Sequence, residues 1–121
     1  MDGYRKGWAV RYLREARAEF AAAKKTPYMA SSLIPEAVRK AQIAIYYSLG
    51  DPAFVEAIVK QSADGEQPMA DPILKCLIEI DKMVQQIMQT PESNEEDRFK
   101  EVDELLQIAS DIVELFTGEK I

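Results

Sequence analysis

Apolar residues recur along this chain at intervals of three and four, and no run alternates with period two. That pattern predicts helices throughout and no strand. From Gly3 to Lys25, the residues Trp8, Tyr12, Ala16, Phe20 and Ala23 fall on one stripe, with Ala9 and Leu13 beside them. A stripe of this period is the buried face of an amphipathic helix. Arg11, Arg14, Glu15, Arg17 and Glu19 occupy the other faces, with Glu15 and Glu19 as a mildly unfavourable like-charge pair. Thr26-Pro27 ends this helix, because proline disfavours helical geometry in the residue before it.

A second helix is expected from Ser31 or Ser32, either of which can cap the first free amides, with Pro35 in the first turn. Ala37, Ala41, Ala44, Ile45 and Ser48 give it a face of small residues suited to close helix approach, and Gly50 stands where a helix terminator belongs. Asp51-Pro52 reads as a cap followed by proline and starts a short helix to about Gln61, with Phe54, Val55, Ile58 and Val59 inward. Ser62 to Ala70, containing Asp64-Gly65 and Pro68, reads as a surface loop. Asp71-Pro72 repeats the cap. Ile73, Leu77, Ile80, Val84 and Ile87 then make a seam of 4-3-4-3 spacing that fades near Thr90-Pro91. Residues 91–97 form a connection and an acidic helix start, and a last helix carries Phe99, Val102, Leu105, Leu106, Ala109, Ile112, Val113 and Phe116 as far as Gly118. Short connections imply antiparallel neighbours. The expected architecture is therefore an all-α, up-and-down antiparallel bundle of four or five helices, one domain over residues 1–121.

The chemistry is bounded mostly by what is missing. The 121 residues include no histidine, which removes Ser-His-Asp and Cys-His nucleophile systems and imidazole acid–base catalysis. The one cysteine, Cys76, excludes an internal disulfide and a cysteine-based zinc cluster, and reads as inert packing or a partly exposed thiol with no base to activate it. Met29, Met69, Met83 and Met88 read as gap fillers. No apolar run approaches the roughly 20 residues a membrane helix needs, and no secretory leader pattern opens the chain, so a cytoplasmic location is expected.

Net charge is −6, but unevenly spread. Residues 1–60 hold 10 Lys/Arg and 6 Asp/Glu, a balance of +4; residues 61–121 hold 5 and 15, a balance of −10. Arg14, Arg17, Arg39 and Lys40 are the candidates for an anion-binding patch across the first two helices, and guanidinium forks suit phosphate. That supports one reading as a nucleotide or RNA binder. The acidic residues Glu92, Glu95, Glu96, Glu101 and Glu104 support another, a magnesium-dependent nucleotide hydrolase, although no matching carboxylate pair faces them and Glu79 and Asp81 point different ways. No cofactor or metal is expected. Tyr46, Tyr47 and Tyr28 suit a helix seam or dimer interface, as does the seam formed by Ile73, Leu77, Ile80 and Val84.

Three segments resemble HEPN domains, small all-helical modules. Gly7 to Phe20 (GWAVRYLREARAEF) resembles their opening helix, Pro35 to Ile45 (PEAVRKAQIAI) their small-residue second helix, and Phe99 to Phe116 their closing helix, together about half the chain. The resemblance implies a four- or five-helix bundle, commonly a homodimer, and in some members a nucleotidyltransferase partner. Many members are RNases that carry an Arg followed four to six residues later by a His. Arg98 stands near the place of that Arg and joins the anion-binding candidates, but Phe99 to Leu105 bring no His. What carries over is the scaffold and the dimer. The leading expectation is thus a non-catalytic, self-associating binding or accessory module.

Overall fold

The computed structural model describes residues 3–65, 71–89 and 95–120. Among these it contains helices and no strand, so the all-α helical bundle read from the pattern is the fold. Five α-helices follow one another: α1 (Gly3–Lys25), α2 (Ala30–Leu49), α3 (Pro52–Ala63), α4 (Pro72–Gln89) and α5 (Glu95–Thr117), with a single 3-10 turn at Pro27–Met29. No helix is long and apolar enough to cross a membrane among the described residues.

The most extensive interface joins α1 to α2. Alanine recurs every seventh residue on both, at Ala9, Ala16 and Ala23 and then at Ala30, Ala37 and Ala44, and every one is buried. Side chains this small let the two backbones approach closely, and Leu13, Phe20, Ile34, Val38 and Ile45 fill the flanks. The helices are antiparallel, since Tyr12 stacks on Tyr47 near one end while Glu19 meets Lys40 further along. α5 is also antiparallel to α1: Lys6 pairs with Glu119 at 3.1 Å, and Phe20 meets Phe99 edge-on at 6.0 Å. α2 and α5 therefore run the same way, and they also pack on each other. α2 is the hub, touching each of the other four helices, whereas among the described residues α3 touches only the helices α2 and α4.

The caps at Asp51 and Asp71 form as their sequence suggests. Each carboxylate accepts two amide hydrogens, from Ala53 and Phe54 at 3.0 and 3.2 Å, and from Ile73 and Leu74 at 2.9 and 3.3 Å. α5 ends at Gly118, whose φ of 76° lies in the left-handed region that glycine enters without strain.

Two boundaries differ from expectation. α2 begins at Ala30, not at Ser31 or Ser32, because the 3-10 turn after Thr26 runs straight into it; Ser32 Oγ donates back to the Met29 carbonyl at 3.0 Å instead of capping. Pro35 is consequently the sixth residue of α2 and lies inside it. Its missing N–H leaves the carbonyl of Ser31 unbonded within the helix, but Ser31 is exposed and water can serve it. α3 runs to Ala63, two residues into the expected loop, and residues 66–70 of that loop, Met69 among them, lie outside the described residues. Phe54 also corrects its assignment. Val55 and Val59 take the inner line of α3, and Phe54, about 100° round the helix from Val55, is 67% exposed.

A candidate ligand groove between α2, α3 and α4

The expected basic patch does not assemble. Arg39 and Lys40 are consecutive on α2, so they point about 100° apart. Lys40 turns toward α1, where its ammonium donates to Glu19 and lies 3.9 Å from Glu15; these carboxylates, Glu19 above all, raise its pKa. Its charge is spent on closing the α1–α2 seam and on relieving the Glu15–Glu19 repulsion. Arg39 turns the other way, toward α4. Arg14 faces a depression shared with Lys6 and Glu119, and Arg17 a different one shared with Lys24 and Asp103. Arg98 is only 8% exposed, and its Nε is buried without a hydrogen-bond partner, which takes it off the surface as an anion-binding residue.

The interface residues are likewise engaged within the chain. Leu77, Ile80 and Val84 are buried in the core, so the α4 seam packs inside this bundle and leaves them nothing to offer a second copy; Ile73, at the start of the helix, is about half exposed. Tyr46 is buried, and Tyr47 is half-buried against Trp8 and Tyr12. Tyr28 and Cys76 are exposed. Among the described residues, no group of three or more Asp, Glu or Cys side chains gathers to hold a metal ion, and Glu92 lies outside them.

What the fold does build is a groove of about 640 Å³ where α2, α3 and α4 meet. α2 supplies Arg39, Gln42, Ile43, Tyr46 and Tyr47; α3 contributes its first turn and Glu56; α4 adds Val84, Gln85 and Met88; Tyr12 reaches in from α1. The volume falls in the range of small-molecule sites, and the mix of rings, aliphatic side chains and a few polar atoms is typical of them.

A hydrogen-bond chain beside the groove fixes its polar groups. Gln42 Nε2 lies 2.7 Å from Asp81 Oδ1 and 2.8 Å from the Tyr46 hydroxyl. The carboxylate requires a donor, which sets the amide orientation and makes the phenol oxygen an acceptor from the same nitrogen. The Tyr46 O–H hydrogen is thereby left for a further acceptor. Burial, then the nearby Asp81 carboxylate, pushes the Tyr46 pKa up to about 12, so at neutral pH this hydroxyl is a donor and not a base. Asp81 links α4 to α2 across the bundle, while Glu79, two residues away, faces solvent beside Lys82 at 3.4 Å.

The aromatic wall is braced from behind. Tyr12 and Tyr47 lie nearly parallel, 5.8 Å apart at 16°, and Trp8 extends the stack at 6.4 Å and 19° from Tyr47. Arg11 sits 5.0 Å over the Trp8 ring, and Tyr4 meets Trp8 edge-on. Each aromatic pair is worth about 0.5–1.5 kcal/mol beyond its buried area. The stack therefore holds the rings of Tyr12 and Tyr47 in place before any ligand arrives.

No family model, curated protein or solved structure matches this chain. The groove's chemistry must speak for itself. Of its lining, Tyr46, Tyr47, Val84 and Arg39 are visible in the sequence as candidates, whereas Tyr12, Gln42 and Glu56 are not, and neither is Asp81 behind them. Gln42 has one local signal, its position four residues before Tyr46 on the same helix face. Its bond to Asp81 spans 39 residues of chain and has none.

Proposed function

We propose that this protein is a non-catalytic, HEPN-like helical module that works by binding a small ligand in the groove between α2, α3 and α4. The observation that carries the reading is the groove itself: a ligand-sized space walled by pre-stacked rings and furnished with a fixed hydroxyl donor at Tyr46. The non-catalytic part rests on a chain without histidine, in which the one buried phenol stays protonated at neutral pH. The test is a titration of the ¹⁵N-labelled chain with a cocktail of small aromatic compounds, followed by amide shifts. Shifts should cluster at Gln42, Ile43, Tyr46, Tyr47, Val84 and Met88. Shifts scattered over the surface, or none at millimolar compound, would refute the groove as the binding site.

A second reading, self-association, is favoured by a different observation. The start of α1 lies beside the end of α5 through the Lys6–Glu119 pair, and a Cβ at Gly50, just before α3, would lie 3.7 Å from Arg5 Nη1. That end of the bundle carries exposed Tyr4, Phe54 and Leu115. Exposed apolar side chains gathered toward one end of a bundle suit an interaction site. Light scattering across a concentration series should show a dimer that Tyr4→Glu with Leu115→Glu converts to a monomer. A monomer at every concentration of the unaltered chain would end this reading.

A further inference from the structure

The groove is not electrically neutral, and that narrows its occupant. Among the described residues, Arg39 is the one cation of the groove's lining, is exposed, and makes no ion pair. The one lining carboxylate, Glu56, already faces Lys60 Nζ at 3.0 Å on its own helix. Among the described residues the groove therefore offers a single guanidinium outside any ion pair, beside ring faces and a neutral hydroxyl donor.

We propose that the groove takes a planar aromatic monoacid, its ring against Tyr12 and Tyr47 and its one anionic group on Arg39. The inference rests on the groove being a ligand site, as proposed above. A guanidinium fork matches one carboxylate-like group through two parallel hydrogen bonds. The Tyr46 O–H can donate a further hydrogen bond to that group. A polyphosphate fits poorly, because it would set several negative charges against one cation in a groove that also carries the Glu56 carboxylate. A neutral ring forgoes the guanidinium altogether. Loss of a charge-assisted hydrogen bond at an exposed arginine corresponds to about tenfold in affinity.

Two fluorescent probes that share a ring system separate these cases. 1-Anilinonaphthalene-8-sulfonate carries one negative charge, and N-phenyl-1-naphthylamine is the same skeleton without it. Both are titrated into the full chain, into Arg39→Gln, and into Ala53→Trp and Gln85→Trp, which fill the groove from α3 and α4 at exposed positions. The expected result is that both tryptophan variants weaken both probes, while Arg39→Gln weakens the sulfonate about tenfold and leaves the neutral probe within twofold. If the tryptophans block both probes but Arg39→Gln changes neither, the groove binds ligands and the monoacid inference is wrong. If neither tryptophan variant affects either probe, the groove reading itself fails. Displacement of the sulfonate by ATP as readily as by 2-naphthoate would overturn the restriction to one charge.

Discussion

Replacing Lys40 by methionine keeps most of the side chain's length and removes only the charge that closes the α1–α2 seam. Glu19, 18% exposed, then loses its one partner in that seam, and its Oε2 is already buried without a hydrogen bond. Leaving a carboxylate unsatisfied in such a place costs about 1–3 kcal/mol. Glu15, one turn earlier, also loses the ammonium 3.9 Å away, and the like-charge pair adds about 0.2–0.5 kcal/mol. The sum is about 1–3.5 kcal/mol. With a urea m-value of about 1.5–2 kcal/mol/M for a chain of this size, the midpoint should fall by about 0.6–2.3 M. Adding Glu19→Gln to Lys40→Met should recover more than half of that, since a neutral amide is cheaper to leave in the seam. The assay is urea unfolding followed by circular dichroism for wild type, both single variants and the double variant, which together form a thermodynamic cycle. A cost below about 0.5 kcal/mol for Lys40→Met, or no recovery in the double variant, would refute the account of Lys40 as a seam residue.

Three further outcomes follow from the packing. Arg98→Met should raise stability by about 1 kcal/mol or more, because it removes a buried nitrogen that has no partner; a loss of stability in urea melts would show that the guanidinium is held. Ala37→Leu should destabilise by about 1–3 kcal/mol by forcing α1 and α2 apart, and an unchanged midpoint would contradict the close alanine seam. The third concerns pH. Burial keeps the Tyr46 phenol neutral up to about pH 12, while the unfolded chain ionises near pH 10. The folded-state value is the higher one, so this contribution is complete below pH 10 and is lost as pH rises toward 12, by about 2–3 kcal/mol at roughly 1.4 kcal/mol per unit. The gap between wild type and Tyr46→Phe in urea melts should narrow or reverse over that window, and a constant gap would refute the assigned environment.

Features set by short-range rules were legible in the chain. The limits of α1 follow from an unbroken stripe closed by Thr26-Pro27, and the two Asp-Pro caps from carboxylates that reach amides two and three residues on. The 4-3-4-3 spacing of α4 marks a packing face, but periodicity says nothing of whose core a face enters, and here Leu77, Ile80, Val84 and Ile87 enter their own. Phe54 misled because α3 is apolar on two adjacent lines and its neighbours bury only one. The site was less legible than the fold for a geometric reason. Arg39 and Lys40 look like one basic pair in sequence, yet a helix turns them to opposite tasks, one to the groove and one to the seam. The link from Gln42 to Asp81 depends on how α4 lies on α2, which no local pattern encodes.

The slight anchoring of α3 bears on how the protein would respond to what it binds. This helix leans on two neighbours only, and Val55 and Val59 are its buried side chains. Segments with so little interior surface open at low free energy, well before the rest of the molecule unfolds. Yet Pro52, Ala53 and Glu56 from this same segment form one side of the groove. An occupant wedged against them would slow amide exchange along α3 far more than along α2, so the least secure wall of the chamber would be the one that reports when it is filled.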